Sequence, residues 1–221
     1  MTLPPHELDK IVAVTLDHYN RGAEDFWAGT RDHDVSQNIA ALLGHMDGTP
    51  PFTILDFGCG PGRDLKVFAE QGHHAIGLDG AERFAAMARR HSGCEVWQQD
   101  FLRLALPPGH FDGIYANASL FHVPGQELPR VLRDLWTTLK PGGVLFCSNP
   151  HGDNQEGWSS GRYGSYHAPD VWRRLVAAAG FVELAHYYRP AGRPRPQQPW
   201  LATVWRKLSP ADTDAPSRPD R

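Results

Sequence analysis

From residue 52 onward, short apolar runs alternate with stretches whose apolar residues recur at helical spacing. That rhythm predicts a parallel sheet covered on both faces by helices. FTILDF (52–57) reads as a first strand, Gly62 to Gln71 as a helix ending near Gly72, HAIGLD (74–79) as a second strand and Ala81 to His91 as a second helix. CEVWQQD (94–100) follows as a third strand, FDGIYANA (111–118) as a fourth, Gln126 to Leu139 as a helix, and GVLFCSN (143–149) as a fifth strand after the turn KPGG. Pro169 to Ala179 is a further helix closed by Gly180. FVELAHYYR (181–189) and LATVWRKL (201–208) are joined by a Pro-rich connection too short for a crossover helix, so they pair antiparallel. The expected fold is an α/β doubly wound, seven-stranded, Rossmann-like sheet with one antiparallel edge strand.

Ahead of the sheet, two helices are predicted at about 5–20 and 33–46, with no place among the strands. They are expected to lie over the carboxyl edge as a lid. The segment from Ser209, SPADTDAPSRPDR, is polar and Pro-rich and reads as a disordered tail. Residues 1–208 thus form a single expected domain, with 1–50 as the helical lid and 51–208 as the core.

A chain of 221 residues with 41% hydrophobic content can bury one sizeable core. A net charge of −3 supplies no general attraction to nucleic acid or an anionic membrane, which favours a small partner. Cys59, Cys94 and Cys147 are odd in number and form no CxxC pair, so they read as reduced core thiols, with no disulfide framework or metal site. No apolar run approaches the roughly 20 residues that span a bilayer, and MTLPPHELDK lacks a signal pattern. The expected location is the cytoplasm.

The chemistry begins at LDFGCGPGRDL (55–65), where Gly58, Gly60 and Gly62 stand at the turn from first strand to helix. In a doubly wound sheet that turn faces the ligand crevice, and the helix N-terminus offers unpaired N–H groups to an anion. The same glycines could instead serve tight packing. The dinucleotide fingerprint G-x-G-x-x-G would need glycine where Arg63 stands, and no G-K-[ST] of a phosphate loop follows. Asp56, two residues before Gly58, could receive a cationic amino group, so an amino-acid-bearing nucleoside matches better than a diphosphate. Asp79, followed by Gly80, closes the second strand 21 residues after Gly58, the distance at which an acidic side chain reaches ribose hydroxyls. Asp100 ends the third strand, placed to accept from an adenine amino group with Phe101 beside the ring.

With ILDFGCGPG, GLDG, QQDF, FDGIYANASLFHV and LKPGGVLF in place, the chain resembles the class I S-adenosylmethionine-dependent methyltransferases from Phe52 to Leu208. The resemblance implies S-adenosyl-L-methionine as cofactor, S-adenosyl-L-homocysteine as its product, and no metal. It also implies that Asp56 and the glycine loop hold the methionine part, Asp79 the ribose and Asp100 the adenine.

The acceptor pocket is expected past the fourth strand, where Asn117, Ser119, Phe121 and His122 stand, followed by NPHGDNQEGWSSGRYGSYH (149–167). His122 is a candidate base or structural hydrogen-bonding residue, Arg162 a candidate carboxylate fork or surface charge, and Tyr163 and Tyr166 candidate site or rim aromatics. Tyr19, Phe26, Trp27 and Asn38 are expected to help close the pocket over cofactor and acceptor, or to pack as core. Arg189, Arg193 and Arg195 form a local basic cluster in sequence.

YNRGAEDFWAGTRDHDVSQNI, SGCEVWQQDF, ANASLFHVPGQELPRVL, NPHGDNQEGW with RYGSYH, and HYYRPAGRPRPQQPWLATVWR are more specific. Together they are similar to the methyltransferase module of ovothiol biosynthesis, which methylates the imidazole π-nitrogen of 5-thiohistidine. Many members of that family carry the module behind an iron-dependent sulfoxide synthase domain. The resemblance therefore implies functional pairing with a separate synthase. Other small acceptors (a carboxylate, phenol or amine), a macromolecular substrate, and a non-catalytic cofactor-binding partner are the competing readings.

Overall fold

A computed structural model describes residues 2–208; the tail expected from Ser209 lies outside them. Three helices come first, α1 (Pro5–Arg21), α2 (Ala23–Thr30) and α3 (Ser36–Leu43). Next come β1 (Thr53–Phe57), α4 (Arg63–Glu70), β2 (His74–Asp79), α5 (Glu82–Ser92), β3 (Glu95–Gln98) and β4 (Phe111–Asn117). After a short 3₁₀ turn at Leu120–His122 follow α6 (Leu128–Thr138), β5 (Leu139–Pro150), β6 (Gln155–Ser159) and β7 (Arg162–Tyr166). The described chain closes with α7 (Pro169–Ala178), β8 (Phe181–Arg189) and β9 (Trp200–Lys207).

The sheet order is β3-β2-β1-β4-β5-β9-β8. Strands β1 to β5 pair parallel, whereas β9 pairs antiparallel with both β5 and β8. The β8–β9 pairing is the one the short Pro-rich connection demands, and the reversed strand lies between β5 and the edge strand β8. Because a strand turns successive side chains to opposite faces, a sheet covered twice needs continuous apolar runs. Leu55, Phe57, Ile114, Leu145 and Cys147 face one core with α6 and α7, and Ile54, Tyr115, Val144 and Phe146 face the other with α3, α4 and α5. On α6, Leu128, Val131, Leu132 and Leu135 are buried at helical spacing, the stripe that docks a helix on a sheet.

The N-terminal region differs from the expectation in two ways. Residues 23–30 form a helix of their own, and α3 packs on the sheet beside β4 and β5, with Ile39 and Leu42 in the core. The carboxyl edge is covered mainly by α1 and α2, where Leu16, Tyr19 and Trp27 pack against Ala81, Phe84 and Met87 of the α5 region, and α3 reaches it through Asn38. A second departure lies at residues 155–166, given no strand from the sequence and found as the antiparallel hairpin β6–β7. Its two-residue turn has Ser160 at φ 50° and Gly161 at φ 83°, the left-handed pair that matches the strand twist. No helix among the described residues is long and apolar enough to cross a membrane.

Candidate functional site

The carboxyl ends of β1, β2 and β4 meet at the topological switch, and a cavity of about 650 Å³ opens there beneath α1 and α2. Its floor is the loop after β1. Gly58 and Cys59 donate their N–H groups to the Leu78 carbonyl at 2.8 and 3.0 Å, which lays the loop across the end of β2. Gly58 has φ 78°, and a side chain there would overlap Ser119. Gly62 has φ 92° and faces away from the cavity: a Cβ would stand 2.8 Å from the Ala88 Cα. Gly58, Gly60 and Gly80 line the cavity while Gly62 does not, so Gly62 is needed for the close approach of α4 to α5.

Three buried carboxylates crowd this floor. Asp56 is 3% exposed, lines the cavity, and its Oδ2 has no hydrogen-bond partner among the described residues. Burial, reinforced by Asp64 and Asp79, pushes its carboxyl well above the usual range. Asp79 accepts from Gly60 N–H at 2.9 Å and Ala81 N–H at 2.8 Å, and burial raises it to about 6. An unpartnered carboxylate oxygen in such a place fits a cationic amino group, and each Asp79 oxygen keeps a lone pair for a hydroxyl. Asp100 lies two residues beyond the end of β3 and accepts from Leu102 N–H at 2.8 Å, while Phe101 stacks on Phe57 at 4.3 Å between ring centroids. Both line the cavity.

On the acceptor side the 3₁₀ turn brings His122 against α1. Its Nδ1 lies 2.7 Å from the Tyr163 carbonyl and its Nε2 2.7 Å from the Tyr19 hydroxyl. Burial lowers His122 to about 4 and raises Tyr19 to about 12, so both are neutral near pH 7. Arg162, the first residue after the β6–β7 turn, lines the same cavity, and its buried Nε has no partner among the described residues. The hairpin signal that positions it was present in the sequence as Ser-Gly between two aromatic, Gly-containing runs.

A hydrogen-bond chain crosses the other end of the cavity. Arg189 Nη1 and the Tyr187 hydroxyl donate to Asn38 Oδ1 at 2.8 and 2.9 Å, and Asn38 Nδ2 donates to Asn117 Oδ1 at 3.0 Å. Asn117 Nδ2 then donates to Asp64 Oδ2 at 3.2 Å, and Arg63 pairs with Asp64 through Nε and Nη2. Asn117, expected to contact ligand, thus has both ends of its amide engaged by the protein. Asp64, Arg63 and Arg189 line the cavity and were missed. Their sequence signals are bland, since an acidic residue in a helix's first turn and an arginine at a strand end are ordinary surface features.

Tyr19, Phe26, Trp27 and Asn38 line the cavity, whereas Tyr163 and Tyr166 do not. Tyr163 contributes its carbonyl to His122 and packs its ring 5.5 Å from Trp158, and the Tyr166 ring lies 6.0 Å from Phe121. The arginine cluster disperses: Arg189 turns inward, and Arg195 lies 3.3 Å over the Tyr188 ring. Cys59 and Cys147 are buried, Cys94 only half-buried, and all three are free thiols. Among the described residues no group of three or more His, Cys, Asp or Glu could hold a metal ion.

Residues 54–143 match the profile of a family described as a methyltransferase domain. The chain is 34% identical over 158 residues to trans-aconitate 2-methyltransferase of Paracidovorax citrulli and 30% identical over 155 residues to that of Azoarcus sp.. Each match takes in 66% of this chain but 58% of the relative, so the chain spans less than two thirds of their length. Among solved structures, the 1,6-didemethyltoxoflavin-N1-methyltransferase of Burkholderia thailandensis superposes with a TM-score of 0.74 at 23% identity, covering 95% of this chain and 92% of its own. An S-adenosylmethionine-dependent methyltransferase of Mesorhizobium loti gives 0.63 at 21% identity, covering 75% of this chain and 95% of its own. These likenesses establish the class I methyltransferase fold.

Proposed function

Starting from a chain that carries a methyltransferase domain on the class I fold, we propose that the protein moves a methyl group from S-adenosylmethionine to a small acceptor. We propose further that the acceptor is 5-thiohistidine, methylated on its imidazole π-nitrogen to give ovothiol A. The observation that carries the acceptor class is Arg162, a guanidinium lining the cavity with an unpartnered, buried Nε. A buried N–H without a partner is costly, and the carboxylate of an amino-acid acceptor would accept from it as part of a planar two-point contact with the guanidinium. The identity of the acceptor rests on the sequence strings similar to the ovothiol module.

When bound, S-adenosylmethionine supplies an electrophilic methyl on a positively charged sulfur. On this reading Asp56 receives its amino group, Asp79 accepts from the ribose hydroxyls and Asp100 from the adenine amine. Tyr19, Phe26 and Trp27 cover the cavity and exclude water, and Arg162 orients the acceptor. Positioning of this kind is worth roughly 7–11 kcal/mol in favourable cases, so no strong base is required. His122, with both ring nitrogens engaged, acts on this reading by holding Tyr19 rather than as a base, and Tyr163 and Tyr166 become supports of the acceptor wall. The acceptor would come from an iron-dependent sulfoxide synthase, in sequence with which this protein works. The reading assigns the reaction to the cytoplasm, which three free thiols support.

The trans-aconitate relatives favour a second reading, a polycarboxylate acceptor, for which Arg162 and Arg189 supply two cations on the cavity wall. Incubation of the protein with S-adenosylmethionine and, separately, 5-thiohistidine, histidine and trans-aconitate, with mass spectrometry of the products, decides between them. A methylated 5-thiohistidine supports the first reading; a trans-aconitate monoester without it replaces the first by the second.

A further inference from the structure

The hydroxyl of Tyr19 is held by a one-way chain of hydrogen bonds. The Tyr163 carbonyl can only accept, so the His122 nitrogen 2.7 Å from it, Nδ1, carries the proton. A neutral imidazole then leaves Nε2 as an acceptor, and the Tyr19 hydroxyl 2.7 Å away must donate to it. The Tyr163 backbone is itself held by its place in the hairpin opposite Trp158 and by its N–H, which donates to Thr15 Oγ1 of α1 at 3.1 Å. Phe26 and Phe84 hold the Tyr19 ring at 5.8 and 5.4 Å between centroids. With its only proton committed to His122, the Tyr19 oxygen presents lone pairs alone to the cavity it lines.

We propose that this chain makes the Tyr19 oxygen an obligatory hydrogen-bond acceptor, so that the site selects acceptors offering a ring N–H there. An azole bound by that N–H has its tautomer fixed: the proton sits on the nitrogen facing Tyr19, and the other ring nitrogen keeps its lone pair. Tyr19 is thereby a specificity-determining residue that touches the acceptor, and His122 is a positioning residue that acts through it. The inference rests on the small-acceptor reading above, and it turns that reading toward nitrogen heterocycles and away from carboxylates, which have no proton to give.

The test separates binding from turnover. With S-adenosylhomocysteine present, calorimetry compares histidine with 3-(4-thiazolyl)alanine, an isostere of the same amino acid whose ring has no N–H. The wild-type protein binds histidine about tenfold more tightly, the upper end of what one neutral hydrogen bond contributes. Tyr19→Phe abolishes the difference while leaving the thiazole affinity unchanged. His122→Gln, whose amide can accept from Tyr19 and donate to the Tyr163 carbonyl, retains the preference, and His122→Leu loses it. Thermal melts confirm that each variant is folded. Equal affinity for the two ligands in the wild-type protein, no binding of either, or a preference that survives in Tyr19→Phe overturns the proposal. Failure of methyl transfer to 5-thiohistidine alongside a retained preference for the N–H ligand would overturn the named substrate and leave the hydrogen-bond selection standing.

Discussion

Asp56 and Asp79 are buried acids that line the cavity, Asp79 held by two backbone N–H groups and Asp56 with one oxygen that has no partner among the described residues. Asp79 is raised to about 6, above the ordinary aspartate value of about 3.9, so its carboxylate form is lost as pH falls through 6. On the proposed reading a ribose hydroxyl needs that carboxylate, and affinity for S-adenosylhomocysteine measured by calorimetry is expected to fall about tenfold between pH 7.5 and pH 5. Asp56 carries a stability cost of the same sign: a folded-state value above the unfolded one contributes stability at low pH that is lost as pH rises through it. At pH 7.5 Asp56→Asn should therefore raise Tm, by roughly 2–4 °C for each kcal/mol of relieved burial, while weakening binding of S-adenosylhomocysteine. Arg162→Met should lower kcat/KM for an amino-acid acceptor by about 100-fold with cofactor affinity within about twofold. Steady-state kinetics beside calorimetry checks that split.

Gly62 and Gly161 show how single positions dock whole elements. At Gly62 a Cβ meets the backbone of α5, so Gly62→Ala should separate α4 from α5 and depress Tm by several degrees, seen in a thermal melt. Gly161 has φ 83°, and a Cβ would stand 2.8 Å from His18 Nδ1 of α1; Gly161→Ala should disturb the seat of Arg162 more than the core, lowering kcat/KM with a smaller change in Tm. The βα rhythm, the antiparallel β8–β9 pair and the carboxylates at successive strand ends were legible because buried parallel strands read as continuous apolar runs. The hairpin β6–β7 was legible only in its Ser-Gly turn, since Gln155, Glu156, Gly157 and Gly164 break the alternation of a strand, and it is held by contacts with α1 and the 3₁₀ turn. The role of α3 was also hidden: IAALL reads equally as a lid or as a face helix, and only Leu42 buried in the core beside Tyr115 decides for the face. Asp64 and Arg189 were illegible because their function lies in a chain of partners scattered from residue 38 to residue 189.

At the scale of the molecule, the sheet places its switch point under two N-terminal helices and a hairpin, so the cavity has a rigid floor and a wall built from distant segments. The chain from Arg189 through Asn38 and Asn117 to Asp64 ties β8, α3, β4 and α4 together around the floor. The Tyr19, His122 and Tyr163 chain ties α1, the 3₁₀ turn and β7 together around the acceptor wall. On the proposed reading, a floor that takes a nucleoside bearing an amino acid and a wall that offers a cation beside a fixed hydrogen-bond acceptor would suit a small, anionic nitrogen heterocycle as the methyl acceptor. The most direct measurement is the position of the new methyl group, read by NMR on the product formed from 5-thiohistidine and S-adenosylmethionine labelled with ¹³C in its methyl. The predicted result is a single product whose labelled methyl correlates with the imidazole ring through the π-nitrogen. No labelled product, or label only on sulfur or on the carboxylate, would contradict it.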